Sequence, residues 1–213
     1  MSATSQSNRP NKGPRLSSKF DRALLYAAKL HRGKLRKKTK IPDIAHLLGV
    51  TAIALEYGAN QTEAIAALLH DAVEDAGGRK RLNDIRRKFG HAVAKIVDGC
   101  SDSYAEPKPS WLDRKKEYVA LVRRASISTK LVSASDKLQN VRSLLRNYRE
   151  GGGQLWQRYD SGKEGALWYY RALVKAFTGK RIRPLVQELD RAVSELESLA
   201  NHGRQVTKPP ETQ

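Results

Sequence analysis

Between residues 62 and 76 the chain reads TEAIAALLHDAVEDA, an apolar run with four ionisable side chains set into it: His70, Asp71, Glu74 and Asp75. Ala64, Ile65, Ala66, Ala67, Leu68, Leu69, Ala72 and Val73 leave little polar face, so a helix made of this stretch belongs inside the molecule. On one continuous helix His70 lies over Glu74 and Asp71 over Asp75, one turn apart. Burying such a group of charges is costly unless they have partners or hold a metal. Taken alone, the stretch fits a buried ion-pair patch, or a helix end whose carboxylates reach water, as well as it fits a functional site. Ligand candidates elsewhere in the chain decide between them.

The chain has 213 residues, enough to bury a core, and one domain with tails is the default organisation. A single cysteine, Cys100, excludes an intramolecular disulfide and a cysteine-rich zinc site. It fits a reducing compartment, so a cytoplasmic protein is expected. The first residues, MSATSQSNRPNKGPRLSS, contain no apolar signal segment. No run approaches the roughly 18 apolar residues of a membrane span. The formal charge is +18, and residues 1–42 hold twelve lysines and arginines against one acid, Asp21. Such asymmetry suggests a polyanionic partner, either a phosphate-rich small molecule or nucleic acid. For residues 1–16, rich in Ser, Asn, Pro and Gly, a disordered basic tail is the simpler reading. The segment HRGKLRKKTK sits between two helical patterns and is harder to dismiss as a tail.

Apolar spacing predicts helices throughout, and no segment alternates with period two, so the fold class is all-α. Residues 17–31 form the first helix, capped by Ser17 or Ser18, with Phe20, Leu24, Ala27, Ala28 and His31 on one face. Pro42 opens a helix over 43–57, closed by Gly58, with His46 among Ile44, Leu47, Leu48 and Val50. A lone histidine there is more often a satisfied core residue than a ligand. Thr62 is the expected cap of the central helix, and Ala76–Gly77–Gly78 its stop. Further helices follow at about 79–90, 91–102 and 111–125, the last with Trp111, Tyr118 and Leu121 toward the core. Residues 126–150 carry a helical face of Leu131, Val132, Ala134, Leu138, Val141, Leu144 and Leu145, on which Asp136 and Asn140 lie one turn apart. Asp136 could also pair with Lys137 or Arg142. Gly151–Gly153 ends that helix, and two more follow at about 163–177 and 183–200. Trp168, Tyr169 and Tyr170 could stack a base but are more often core. The organisation is a basic tail (1–16), one helical domain (17–200) and a disordered C-terminal tail (201–213).

His46, His70, Asp71 and Asp136 thus bring two imidazoles and two carboxylates from three helices, a set able to converge on one divalent cation. Mixed nitrogen and oxygen donors suit Mn²⁺, Fe²⁺ or Zn²⁺, and two carboxylates favour Mn²⁺. A cation so held polarises phosphoryl oxygens and acidifies water. Glu74 and Asp75, one turn from the ligands, are placed to orient or deprotonate that water. Arg36, Lys37 and Lys38 precede the His46 helix and could hold phosphates. No Walker loop, GxSxG or reactive-cysteine signature competes.

At this point the sequence resembles the HD-domain metal-dependent phosphohydrolases, in particular the RelA/SpoT-type (p)ppGpp hydrolase domains and the small stand-alone alarmone hydrolases. The resemblance rests on HRGKLRKK, IPDIAHLLGV, AIAALLHDAVEDAGG, FGHAVAKIVDGCSD, SDKLQNVRSLL and KEGALWYYRALV, which span most of the chain. AALLHDAVED together with the distal DKLQN is specific. The resemblance implies a single HD-domain helical bundle whose metal, usually Mn²⁺, is held by His46, His70, Asp71 and Asp136. It implies Glu74 and Asp75 acting on the attacking water, and Arg36, Lys37 and Asn140 contacting a phosphorylated nucleotide. The implied activity is removal of pyrophosphate from the 3′ position of ppGpp, giving GDP. Two positions depart from the pattern: Asp43 stands where a tyrosine usually precedes the metal histidine, and Gln139 where the distal motif often has His or Tyr. The alternatives are an HD-fold hydrolase of another nucleotide phosphate, or a basic module binding nucleic acid through the N-terminal segment in a salt-sensitive way. A helical bundle with a buried ionic cluster would need His46, His70, Asp71 and Asp136 to converge by accident.

Overall fold

The computed structural model describes residues 15–202 apart from 38, 76, 102–106 and 108. The tails expected to be disordered, 1–16 and 201–213, fall almost wholly outside the described residues, as does Lys38. Among the described residues ten helices follow in order: α1 (Ser18–Leu30), α2 (Ile44–Glu56), α3 (Gln61–Leu69), α4 (Ala72–Asp75), α5 (Gly78–Phe89), α6 (His91–Cys100), α7 (Trp111–Arg124), α8 (Ile127–Gly151), α9 (Gly162–Ala176) and α10 (Arg183–His202). Short 3₁₀ turns at Gly152–Arg158 and Lys180–Ile182 complete the chain. Among the described residues there is no strand, only one antiparallel bridge between Leu35 and Pro42. The all-α expectation holds.

Helix α3 is the axis, packing against α1, α2, α6 and α8. Every residue from Glu63 to Leu69 is buried, which is why this stretch lacks a polar face. Helix α8, 25 residues long, lies beside it and also contacts α2, α6 and α10. Its expected apolar face, from Leu131 to Leu145, is buried throughout. Each leucine so buried stabilises the fold by about 1.5–3 kcal/mol. Helices α2 and α8 pack together, and Gly49 faces the Gln139 side chain, whose amide would stand 2.7 Å from an added Cβ. This packing brings His46 of α2 to face Asp136 of α8.

Some expectations are corrected. The central helix is not continuous over 62–76: it stops at Leu69, turns at His70 and Asp71, and resumes as the four-residue α4. At the break the His70 ring N–H donates to the Ala67 carbonyl at 2.8 Å. That carbonyl would bond the Asp71 amide in an unbroken helix. The cap is Asn60 rather than Thr62: its side chain accepts from the Glu63 amide (3.1 Å) while the Glu63 carboxylate accepts from the Asn60 amide (2.8 Å), a reciprocal capping box. On α1, Ala23 is buried and Ala28 exposed. Leu121 is 41% exposed and does not join the core. The glycine stop after α8 leads directly into a 3₁₀ turn, which leucine and tryptophan packing sustains at Leu155 and Trp156.

Glu63 ties the core to the far end of the chain. Its carboxylate, fully buried, accepts two bonds from Arg181 at 2.6 and 2.5 Å. Burial alone would raise its pKa, but bonds from Arg181, Ser128 and the Asn60 amide outweigh it and hold the carboxyl below the usual glutamate range. The stability it contributes is therefore full above that range and lost as pH falls through it. Glu63→Ala is expected to cost about 3 kcal/mol, since it strands Arg181 and opens the capping box. Urea midpoints measured between pH 3 and 7 should show Glu63→Gln both less stable at neutral pH and less acid-sensitive than the parent. An unchanged pH slope would refute this role.

Candidate metal centre and active-site cleft

The helix break at residues 70–71 delivers the metal-ligand candidates to one point. His46 comes from the first turns of α2, His70 from the end of α3, Asp71 from the turn after it and Asp136 from the middle of α8. The ring nitrogens Nε2 of His46 and His70 lie 3.3 Å apart. Asp136 Oδ1 is 3.2 Å from the first and 3.6 Å from the second. Asp71 reaches both rings, its Oδ1 3.1 Å from His70 and its Oδ2 3.4 Å from His46. His46, His70 and Asp136 each offer a ligand atom within 4.8 Å of the other two.

This donor set fits a divalent cation. Ligand atoms about 2.1 Å from a shared ion and at right angles to each other lie about 3 Å apart, close to the separations found. The Nδ1–H of His70 is spent on Ala67 O, which leaves Nε2 unprotonated and aimed at the centre in the neutral ring. Without a cation the groups neutralise one another. Burial disfavours the charged form of His70, but Asp71 and Asp136 outweigh it and raise its pKa well above the ordinary value. Burial likewise opposes ionisation of Asp136, yet Lys137 and the two histidines hold its carboxyl well below its usual range. Asp71 is held low in the same way, mainly by His70.

Around the centre, Asn140 Nδ2 donates to Asp136 Oδ1 at 2.6 Å, while Asn140 Oδ1 accepts from the Arg36 guanidinium at 3.0 Å. Arg36 also approaches Asp71 Oδ2 at 3.6 Å. The basic loop that carries Arg36 is a tight hairpin-like turn: Arg36 N–H bonds Ile41 O, and Asp43 N–H bonds Lys34 O, both at 2.9 Å. Asp136 does pair with Lys137, at 2.5 Å, through the oxygen turned away from the histidines. Arg142, the other candidate partner, pairs with Glu188 instead.

These residues floor and flank a cleft of about 1010 Å³. Glu74 and Lys37 both line it, and both are exposed. Asp75 closes α4, its side chain lying outside the described residues. The cleft is also lined by residues the sequence did not single out for a site: Arg114, Lys115 and Tyr118 on α7, Lys137 and Arg146 on α8, and Tyr159. Lys137 sits 5.1 Å from the Tyr118 ring centroid. Of the three aromatics at 168–170, Tyr169 is core and lines the cleft, Tyr170 lines it, and Trp168 is 39% exposed outside it. A cationic rim, an aromatic wall and a metal-fitting floor make the cleft suited to a phosphorylated compound with a ring.

A family model described as HD domain matches residues 23–158, and the chain belongs to the HD-domain family. It is an enzyme of the phosphohydrolase class that fold and site define. Among its relatives is the human guanosine-3′,5′-bis(diphosphate) 3′-pyrophosphohydrolase MESH1, 38% identical over 130 residues that cover 59% of this chain and 69% of the relative. The Drosophila melanogaster protein of the same name is 33% identical over 65% of this chain and 76% of its own length. A solved structure described as a metazoan orthologue of SpoT that hydrolyses ppGpp superposes with a TM-score of 0.71, at 24% identity, over 86% of this chain and 98% of that one. A Listeria monocytogenes structure gives 0.64 at 28% identity, over 71% of this chain and 97% of that one. These superpositions establish the fold. No helix among the described residues is long and apolar enough to cross a membrane.

Proposed function

We propose that this chain is a guanosine 3′,5′-bis(diphosphate) 3′-pyrophosphohydrolase. His46, His70, Asp71 and Asp136 hold the divalent cation, for which Mn²⁺ is the first candidate because half the donors are carboxylates. The observation that carries the reading is the set of ligand atoms of His46, His70 and Asp136 within 4.8 Å of one another, in a chain 38% identical over 130 residues to the human protein named for that activity. When bound, the cation supplies Lewis acidity to phosphoryl oxygens and makes water more acidic.

The chain's own residues do the rest. Arg36 offers a planar fork to a phosphate, and Lys37 a point charge at the same rim. Asn140, held between Arg36 and Asp136, directs an amide at the same group. Glu74, with Asp75 beside it, accepts the proton of the attacking water. That water adds to the phosphorus bonded to O3′, the P–O3′ bond breaks, O3′ takes up a proton returned by Glu74 through solvent, and pyrophosphate departs from GDP. Lys137 and the Tyr118–Tyr170 wall face the remainder of the nucleotide. The lone thiol Cys100 supports a cytoplasmic setting.

The test is pyrophosphate and phosphate release from a nucleotide panel that includes ppGpp, with Mn²⁺ and with EDTA. Mn²⁺-dependent pyrophosphate from ppGpp is expected. Turnover of another nucleotide alone would keep the phosphohydrolase and discard the alarmone. No turnover with any metal, together with salt-sensitive RNA or DNA binding, would favour the basic-module reading.

A further inference from the structure

Asp43 stands at the N-cap position of α2, where an aspartate ordinarily accepts a bond from the helix's first amides, yet its side chain makes no cap bond. The carboxylate is committed elsewhere. Oδ2 lies 2.6 Å from Nδ1 of His31, a residue buried at the end of α1, and Oδ1 accepts from Arg36 at 3.3 Å. Asp43 is itself 5% exposed, and the other ring nitrogen of His31 is buried with no hydrogen-bond partner among the described residues. A helix cap and a fully satisfied histidine have both been forgone to hold one carboxylate against one arginine.

Arg36 needs such a hold. It rises from a loop rather than a helix, its side chain is about a third exposed (32%), and it also meets Asn140 at 3.0 Å and Asp71 at 3.6 Å. Free in the loop, the guanidinium would sample many rotamers. Gripped on one side by Asp43 and on the other by Asn140, it presents its fork to the metal centre at small further entropic cost. The hairpin bond from the Asp43 amide to Lys34 O fixes the carboxylate relative to the same loop.

We propose that Asp43, anchored by His31, is a positioning residue that preorganises Arg36 for the substrate phosphate. The inference rests on the phosphohydrolase reading above. It acts through Arg36, so its effect belongs on KM and vanishes when Arg36 is absent. The experiment is a cycle of Asp43→Asn, Arg36→Ala and the double variant. It reads kcat and KM for Mn²⁺-dependent pyrophosphate release from ppGpp, Mn²⁺ affinity by calorimetry, and thermal unfolding. Asp43→Asn is expected to raise KM about tenfold with kcat within about twofold, and to leave Mn²⁺ affinity unchanged. On the Arg36→Ala background it should add less than about twofold. Effects that multiply across the cycle, or an unchanged KM in folded Asp43→Asn, overturn the proposal. Asp43→Glu moves the charge by one methylene and serves if the amide variant does not fold: its KM change must likewise disappear in Arg36→Ala. If the parent protein leaves ppGpp intact, the substrate reading has failed. The cycle is then read by calorimetric binding of inorganic pyrophosphate with Mn²⁺, where the same non-additivity is required.

Discussion

Asp71→Ala is expected to abolish metal-dependent hydrolysis, lowering kcat/KM by about a thousandfold or more while the protein stays folded. Asp71 touches both imidazoles, at 3.1 and 3.4 Å, and its carboxylate is one of two that could balance a dication. Losing an outer partner of a metal ligand costs about 10–100-fold in affinity, so losing a ligand should cost more. The fold should survive because the side chain is a quarter exposed and sits in a turn, not in the packed run before it. Removing it also takes away one of the two carboxylates that raise the His70 pKa, so that histidine should titrate lower in the variant. Calorimetry with Mn²⁺, a thermal melt and the pyrophosphate assay together decide the matter. Retained Mn²⁺ affinity with retained turnover would remove Asp71 from the centre.

Glu74→Gln should separate chemistry from metal binding. Glu74 lines the cleft on α4, one short turn beyond Asp71, and is exposed to the solvent from which a nucleophilic water comes. A glutamine keeps the shape and the hydrogen-bonding reach but cannot take a proton. Loss of a positioned general base costs about 10²–10⁴-fold, so kcat should fall in that range with KM and Mn²⁺ affinity little changed. The readout is steady-state kinetics beside a metal titration on the same preparation. Should kcat hold and Mn²⁺ affinity drop instead, Glu74 would be a ligand rather than a base.

Much of this was legible in the chain itself. Helix positions and the buried face of α8 follow from apolar spacing, a local property that survives whatever the helices pack against. The metal-ligand candidates were legible because His, Asp and Asn are conspicuous within otherwise apolar helices. The charge-rich loop before α2 was legible as a phosphate-binding candidate for the same reason. Less visible were the residues whose types are ordinary in their local setting. Lys137 reads as one more surface lysine, and Tyr118 and Tyr170 as core aromatics, until α7, α8 and α9 enclose one cleft. His31 and Asp43 read as the end of one helix and the start of the next.

What the sequence determined by itself, then, is the set of helices and the chemistry they carry, because helix formation and side-chain type are fixed within a few residues. The tertiary structure alone decided the break at His70–Asp71, the meeting of His46 with Asp136 where α2 packs on α8, and the grip of Asp43 on Arg36. Each of these depends on competition for one hydrogen-bond partner, or on an approach of a few ångströms between helices distant in the chain. Such competition is settled by packing, and no local periodicity records its outcome.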